Sequence, residues 1–335
     1  MTNSRLGWVD IAKGLAIISV ILGHSYEFGN PIHALVYSFH IPLFFILAGY
    51  TTKLKSQKQI LVPSVKRLLL PYAALCLFNL LLNVINPAVS FSDLGYVLLG
   101  YVFAGSDPAQ PFGFPGVGLA WFLMALFTSR VLFNVITTFF VRFKVPELVR
   151  AATFLLLACG AYILSSYISL PLAGNQAFVA MLFLYLGFIL KKYQFITWVG
   201  KWWVASLSLL AWMVLSTFGV FFSIGNMFYL GSFACGLMMT IAASVVVLFI
   251  CIKIDNLRMP FFSNALSYAG VNSLLFLCVH QIEAAFINWP SIVFPSVGEF
   301  SIIVVGTIHI LMVIVIIWMI SLNPIQGKAF KKIQE

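Results

Sequence analysis

The sequence predicts an all-α, polytopic membrane protein with about ten transmembrane helices and both termini in the cytoplasm. Three observations predict this fold class: the scarcity of charge, the recurrence of apolar segments of about 20 residues, and the placement of basic residues between those segments. The whole chain, 1–335, is expected to form a single transmembrane domain with no appended soluble domain, because no polar stretch is long enough to fold alone.

The composition argues against a soluble domain. Of the 335 residues, 62% are hydrophobic and 8% are charged, whereas a soluble domain carries about 25% charged residues. The remaining polar residues could not cover so much apolar surface, so lipid is the solvent that fits. The net charge of +10 does not indicate nucleic-acid binding, because the basic residues form no basic module with interleaved aromatic residues.

Ten apolar segments are long enough to cross a membrane as helices. Their long unbroken runs favour helices over barrel strands, which alternate in polarity over about ten residues. The connection at about 88–118 is rich in Gly and Pro and is expected to be a folded outer loop or a re-entrant piece. The ten segments centre on 9–27, 33–51, 68–87, 119–141, 151–168, 175–190, 203–222, 229–252, 266–286 and 301–320.

The basic residues predict the orientation. Cytoplasmic loops of membrane proteins carry an excess of Lys and Arg, and 17 of the 19 basic residues fall on one side if the N-terminus is inside. Those on the inner side are Arg5, Lys53, Lys55, Lys58, Lys66, Arg67, Arg142, Lys144, Arg150, Lys191, Lys192, Lys201, Lys253, Arg258, Lys328, Lys331 and Lys332. The two that remain, Lys13 and Arg130, lie inside predicted helices.

The first helix carries ionisable residues that are costly in lipid unless they pair or face a cavity. Lys13 and His24 are eleven residues apart, about three turns, which puts both on one face about 16 Å apart. Asp10 lies three residues before Lys13, where the two side chains can pair. Glu27 follows His24 by about one turn. This polar stripe predicts a functional face; its structural alternative is contact between helices or snorkelling at the helix ends.

Three more polar residues fall at a similar depth by independent helix counting. His40 lies on the second helix, and His280 and Glu283 lie on the outer part of the ninth. One buried histidine is usually structural, but three with a carboxylate indicate a proton-handling site. His33 is interpreted as an outer-boundary residue and His309 as a structural one. A metal site is not expected, because no local spacing of the HxxxH type brings two ligands together.

Five motifs in order resemble the acyltransferase-3 family of membrane acyltransferases. The first, Arg5 to Ala16 with Gly23-His24, places a basic residue and a histidine with ten residues between them, as that family does. The second helix, Ser38 to Tyr50, is similar to the family's FHMPLFFFLSGY-like helix, with Ala48 in place of a serine. The other three are Lys66-Arg67 before Pro71-Tyr72, Ala120-Trp121-Phe122-Leu123, and Gly270-Val271-Asn272-Ser273 followed by His280.

The resemblance extends to a subgroup, the stand-alone, fucose 4-O-acetylase-like surface-polysaccharide O-acetyltransferases. It implies acetyl-CoA as the acyl donor and a hydroxyl of a cell-surface or lipid-linked glycan as the acceptor, in the bacterial cytoplasmic (inner) membrane. Neither ATP nor a metal is expected, since transfer from a thioester to an ester is close to thermoneutral. Beyond the glycan, the expected partner is membrane lipid, with no nucleic acid.

The same resemblance gives each candidate residue a role. His24 is the expected general base, because acyl transfer to a hydroxyl needs a group that takes the proton. An acyl-imidazole on His24 is a second route that the sequence leaves open. The other catalytic candidates are Lys13, Asp10, Glu283, His40 and His280, with Glu283 or Glu27 as the carboxylate that orients His24. The donor-binding candidates are Lys13, Lys66, Arg67, Trp121, Arg130 and Ser273.

Two other functions are compatible with intramembrane histidines. A proton-coupled secondary transporter or flippase would use them as a relay, but such folds usually carry internal repeats and matched broken helices, which the sequence does not show. A purely structural subunit of a glycan-assembly complex would not need Lys13 and His24 on one face. The sequence identifies neither the acceptor glycan nor its hydroxyl position, and it does not distinguish acetyl from another small acyl group.

Overall fold

The computed structural model describes residues 6–86, 90–109, 111–257, 260–292 and 300–321. Fifteen α-helices account for most of these residues, and two short strands form a small sheet. The chain divides into two compact units. Unit 1 comprises Met1–Leu47, Gln194–Phe222 and Tyr229–Glu335, and unit 2 comprises Ala48–Tyr193 and Ser223–Phe228.

The first half of the chain contains seven helices, with a π-helical turn at Val65–Leu69 and a 3₁₀ turn at Gly118–Ala120. The helices are α1 (Gly7–Gly23), α2 (Pro31–Tyr37), α3 (His40–Thr51), α4 (Gln57–Ser64), α5 (Leu70–Ile85), α6 (Phe91–Phe103) and α7 (Trp121–Arg142).

The second half contains the other eight helices and both strands, with a 3₁₀ turn at Trp289–Ser291. These elements are α8 (Glu147–Ser165), α9 (Gly174–Lys192), α10 (Ile196–Val199), α11 (Trp202–Thr217), β1 (Phe221–Ser223), β2 (Phe228–Leu230), α12 (Phe233–Asn256), α13 (Pro260–Val271), α14 (Ser273–Glu283) and α15 (Ser301–Ser321).

The helices fit a polytopic membrane protein, and each of the ten predicted segments contains one. Among the described residues, six helical stretches are long and apolar enough to cross a membrane, and a seventh qualifies if α13 and α14 count as one broken span. The six are Pro31–Thr51, Gln57–Ile85, Gly118–Arg142, Glu147–Ser165, Gly174–Lys192 and Phe233–Asn256. The number ten and the orientation stay predictions.

The predicted helix at 266–286 is two helices, bent by 71° at Asn272. The Asn272 side-chain amide donates to the backbone carbonyl of Tyr268, at 2.8 Å. Side chains of Asn that bond to nearby backbone compete with regular helix, which is why they occur at helix ends. The break gives His280 and Glu283 a short helix of their own, α14.

The connection at 88–118 is folded, and it contains a helix, α6, that the sequence analysis does not predict. Its start carries a capping box: the Ser90 hydroxyl accepts from the Asp93 backbone N–H, and the Asp93 carboxylate accepts from the Ser90 N–H at 2.8 Å. Farther on, Ala109 pairs with Phe114 in an isolated β-bridge. Burial raises the pKa of Asp107, while hydrogen bonds from Asn226 and Ser106 oppose that shift.

In unit 1, α1 and α13 pack with their backbones in contact. A Cβ atom added at Gly14 would strike the carbonyl oxygen of Leu266, and one added at Gly270 would strike the carbonyl oxygen of Asp10. Small residues allow this approach, which van der Waals contact stabilises in lipid, where burial of apolar surface gives no driving force. The N-terminus of α1 is capped by Asp255, whose carboxylate accepts from the Trp8 N–H at 3.1 Å.

In unit 2, aromatic side chains fill the space between α7, α8 and α9. The Phe154 ring lies 5.3 Å from that of Phe133 and 5.0 Å from that of Tyr185, measured between ring centres. At the ends of α8 and α9, the Glu147 carboxylate accepts from Lys192 at 2.5 Å and from Tyr193 at 2.9 Å. These contacts join the ends of α8 and α9. They do not test the prediction that Lys192 lies on the cytoplasmic side.

Topology can be tested by introducing single cysteines, because the positive-inside assignment predicts the side of every loop. Positions 57, 145, 193 and 255 should react only with a reagent that reaches the cytoplasm. Positions 110 and 297, which lie outside the described residues, should react from the external side. Labelling of position 110 from the cytoplasm would contradict the orientation.

Candidate active site

His24 lies at the end of α1, where its backbone N–H still bonds to the Val20 carbonyl at 3.2 Å. Its imidazole is partly exposed, unlike those of His40 and His280. The ring centre is 5.4 Å from that of His280 and 5.9 Å from that of Tyr37. The predicted base is therefore a reachable imidazole that directly neighbours a second one.

Glu283, the last residue of α14, is the centre of a buried hydrogen-bond cluster. Its Oε1 accepts from His280 Nδ1 and from His309 Nε2, each at 2.6 Å. Its Oε2 accepts from the indole N–H of Trp289 at 2.5 Å. The residue is 6% exposed, and a buried carboxylate is stable only when such donors replace its water.

His309 belongs to this cluster, which the sequence analysis misses. Its imidazole is fully buried on α15, stacked on Trp289 at 4.1 Å between ring centres. Besides donating to Glu283, the ring contacts the Ser25 hydroxyl through Nδ1 at 2.8 Å. Both ring nitrogens are thus engaged. The signal for it in the sequence is a histidine within a very apolar 21-residue helix.

His280 presents one nitrogen without a partner. Its side chain is 0% exposed, and Nε2 makes no hydrogen bond to any described residue. Because the Glu283 carboxylate can only accept, Nδ1 of His280 must be the protonated nitrogen. In the neutral ring, Nε2 then carries a lone pair. A buried acceptor left in this way costs about 1–3 kcal/mol, which makes it a candidate for function.

His33, Tyr37 and His40 form an aromatic wall on α2 and α3. The His33 ring stacks on Tyr37 at 3.9 Å, and the Tyr37 ring meets His40 edge-on at 4.7 Å. His40 Nδ1 lies 2.6 Å from the Val36 carbonyl and so donates to it. His33 is 7% exposed, so its ring is buried against these neighbours. The Tyr37 ring also lies beside His24.

At the other end of α1, Asp10 and Lys13 form the predicted pair, with 3.9 Å between the Lys13 Nζ and Asp10 Oδ1. The Asp10 side chain is buried, whereas that of Lys13 is 31% exposed. Ser273 begins α14, after the break. Glu27 is exposed, and both oxygens of Glu283 already bind other groups. Among the described contacts, neither carboxylate bonds to His24.

Unit 2 holds the other donor-binding candidates. Lys66 and Arg67 are exposed on the π-helical turn, an irregularity that often occurs at functional sites. Arg130 is partly buried on α7, and in the described part of the chain it has no ion-pair or hydrogen-bond partner, while Arg67 is near enough to repel it. Trp121 begins α7 and is 6% exposed, with Gly225 packed on its indole.

The cluster of His280, Glu283 and His309 brings three potential metal-ligand atoms within 4.8 Å of one another. Its nitrogen–oxygen separations of 2.6 Å are those of hydrogen bonds. Two ligands of one tetrahedral zinc ion, each bound at about 2.0–2.1 Å, lie roughly 3.3 Å apart. The geometry is therefore that of a hydrogen-bonded network rather than a coordination shell.

Comparisons with known proteins identify the family of the chain. The profile of the family described as "Acyltransferase domain" matches residues 6–321. A curated relative, the nodulation protein NolL of Mesorhizobium japonicum, is 31% identical over an alignment that covers 41% of this chain. The alignment spans only 38% of that protein's length. No solved structure matches.

Proposed function

This chain belongs to the acyltransferase-3 family over nearly its whole length, and from that premise we propose that it transfers an acetyl group from acetyl-CoA to a glycan hydroxyl. The observation that carries the proposal is the reachable imidazole of His24 beside the buried cluster centred on Glu283. It supports an acyltransferase that handles a proton within apolar helices. The polytopic character supports action at a membrane, which we propose is the bacterial cytoplasmic membrane.

His24 is the proposed general base. It takes the proton of the acceptor hydroxyl while the hydroxyl oxygen attacks the thioester carbonyl of the donor. The carbon–sulfur bond then breaks, and the proton held on His24 passes to the departing sulfur. The products are an acetyl ester and free CoA, so the step needs no oxidant, nucleotide hydrolysis or metal.

Arg130 and Arg67 support an anionic donor. A guanidinium cannot lose its proton in a protein, and an unpaired one in an apolar helix is costly. Arg67, on the π-helical turn, is near enough to Arg130 on α7 to repel it, and an anion bound by both groups would offset that repulsion. Phosphate oxygens suit this pair, because guanidinium groups bind them in a bidentate fashion. The phosphates of acetyl-CoA meet that requirement, with Lys66 exposed on the same turn.

Alanine at Arg130, Arg67 or Lys66 should weaken acetyl-CoA binding without unfolding the protein. Added salt should reduce the affinity of the wild type, and the exposed Lys66 and Arg67 should account for more of that loss than Arg130, since buried charges are screened less. Titration with acetyl-CoA in detergent or nanodiscs measures both effects. Lys144→Ala, at another exposed loop lysine of unit 2, is the control. Unchanged donor affinity in all three variants would show that these basic residues do not bind the donor and serve only the topology of the protein.

The acceptor is proposed to be a cell-surface or lipid-linked glycan, which follows from the sequence resemblance to polysaccharide O-acetyltransferases. Comparison of surface-polysaccharide acetylation between wild-type and deletion strains tests it. Loss of O-acetyl groups from one glycan in the deletion strain identifies the acceptor, and the position of the missing group identifies the hydroxyl. An unchanged set of acetylated glycans would overturn this acceptor class.

A secondary transporter is the second candidate, and one observation favours it: transporters bind substrates at broken helices, and α13–α14 is broken by 71°. Among the described residues, it is the one pair of apolar helices with a sharp bend at a short break, whereas transporter repeats place such breaks in matching pairs. Purified protein with labelled acetyl-CoA separates the two functions. An acyltransferase hydrolyses or transfers the acetyl group, and a transporter leaves it intact.

A further inference from the structure

The His280 ring is bonded to Glu283 through Nδ1 and neighbours the ring of His24, and its Nε2 has no hydrogen-bond partner among the described residues. We infer that His280 is a positioning residue that accepts the ring N–H of His24 through Nε2 and connects it to the negative charge of Glu283. The inference rests on the proposed acyl transfer and assigns the orientation of its base. The result is a chain of three groups, His24, His280 and Glu283, in place of a direct bond between a carboxylate and the base.

The first step concerns the direction of the bond between His280 and Glu283. A carboxylate held by three donors acts as an acceptor, so the proton lies on His280 Nδ1. The neutral imidazole has only one N–H, and its Nε2 therefore accepts. This nitrogen is buried and makes no hydrogen bond to a described residue. The bond to Glu283 therefore makes Nε2 of His280 a hydrogen-bond acceptor, and no other residue of the cluster donates to it.

The second step identifies the donor. Two imidazoles neighbour His280: His309, with 5.0 Å between ring centres, and His24, with 5.4 Å. Both nitrogens of His309 are already engaged, by Glu283 and Ser25. The indole N–H of Trp289 is also bound to Glu283. His24 makes no ring hydrogen bond among the described contacts, so it is the neighbour that can supply the N–H.

The third step is geometric. Two imidazoles joined by an N–H···N bond of about 3 Å, with each nitrogen about 1.2 Å from its ring centre, have centres roughly 5.4 Å apart. The observed separation of His24 and His280 equals this value. The two ring planes are tilted by 48° to each other, and the inferred bond forms at this separation when one nitrogen of the partly exposed His24 ring points at His280 Nε2. Catalytic hydrogen bonds are commonly looser without substrate and tighten when it binds.

The consequence is a fixed tautomer. With one ring nitrogen of His24 donating to His280, the other keeps its lone pair and can take the proton of the acceptor hydroxyl. His24 then becomes an imidazolium, and the charge of Glu283 stabilises it through the His280 ring. In a Ser-His-Asp triad the carboxylate orients and stabilises the base by a direct bond, whereas here the His280 ring stands between the two groups. In this arrangement, His309 and Trp289 act on Glu283 and not on the base. They donate hydrogen bonds to Glu283 and hold its carboxylate in place.

The test compares His280→Gln with His280→Leu. A glutamine amide has a donor and an acceptor about as far apart as the two imidazole nitrogens, so it can donate to Glu283 and accept from His24. Leucine can do neither. We expect His280→Gln to keep kcat within about tenfold of wild type and His280→Leu to lose about 10⁴-fold, the cost of a wrongly held tautomer. Acetyl-CoA affinity should be unchanged in both, and His33→Leu, outside the chain of three groups, should have little effect.

Equal losses in the Gln and Leu variants, with donor binding intact, would overturn the inference, because His280 would then act by another property. So would a Leu variant with wild-type kcat. If His280→Leu does not fold, ¹⁵N NMR of the labelled histidines in the wild type decides: two distinct ring-nitrogen signals from His24 are expected, and averaged signals would contradict a fixed tautomer. A wild type that transfers no acetyl group would instead refute the proposed function.

Discussion

His24→Ala should abolish acetyl transfer while acetyl-CoA still binds. Loss of a positioned general base typically lowers the rate by 10²–10⁴-fold. Donor affinity should survive, because the groups proposed to hold the phosphates of the donor are Lys66, Arg67 and Arg130, whereas His24 is proposed to act on the acceptor hydroxyl. The stability cost should be small, since the His24 ring is partly exposed and makes no ring hydrogen bond to the described residues. The rate at which labelled acetyl groups reach the glycan measures the loss of transfer, and titration with acetyl-CoA measures whether the donor still binds.

His33→Ala is the matched control for deleting an imidazole in the same unit. Its ring stacks on Tyr37, as the His24 ring meets Tyr37 edge-on, but it lies outside the cluster of Glu283. A mild loss is expected there. A folded, donor-binding His24→Ala protein that acetylates at a near wild-type rate would move the base to His40 or His280.

Glu283→Ala should be the most damaging change to both stability and activity. It leaves the N–H groups of His280, His309 and Trp289 buried without an acceptor. Breaking a buried charged network by removing one member costs about 3–5 kcal/mol. Activity should fall as well, because His280 would lose the bond that fixes its tautomer. Thermal unfolding in detergent and acetyl transfer measure the two losses.

Glu27→Ala provides the control, because Glu27 is an exposed carboxylate in the loop that follows α1. We expect it to change the unfolding temperature little, since surface substitutions usually alter stability within about 0.5 kcal/mol. If Glu283→Ala unfolds at the same temperature as Glu27→Ala, the carboxylate does not hold the cluster together, and its proposed role fails.

The sequence predicts the helices well because lipid imposes a length and a composition on each span. It predicts the interruptions poorly. The break at Asn272 and the strands Phe221–Ser223 and Phe228–Leu230 lie within or beside the predicted apolar segments. Helix α6 lies in a connection whose sequence favours both a helix and a loop. Its cap, Ser90 with Asp93, is a local signal for a helix, whereas the Gly and Pro residues that follow favour a loop.

For the site, the sequence predicts what is local and misses what is distant. Asp10 and Lys13 pair because three residues of helix separation put them on one face. His309 and Ser25, by contrast, are 284 residues apart and meet only through the packing of α1 with α15. Trp289 contacts Glu283 only because α14 ends there and the chain turns back. No spacing rule predicts such contacts, which is why the sequence pairs Glu283 with His24, whereas the structure pairs it with His280 and His309.

The contact between Gly14 and Gly270 makes the crossing of α1 and α13 a pivot for the two histidines. His24 lies ten residues beyond Gly14, about 15 Å away along α1. His280 also lies ten residues beyond its glycine, Gly270, but past the 71° break at Asn272. A small change of angle at the crossing therefore becomes a larger change in the distance between the two rings. A single methyl group at either glycine would act as a wedge, and the rate of transfer should respond to it although no atom of the site has been altered.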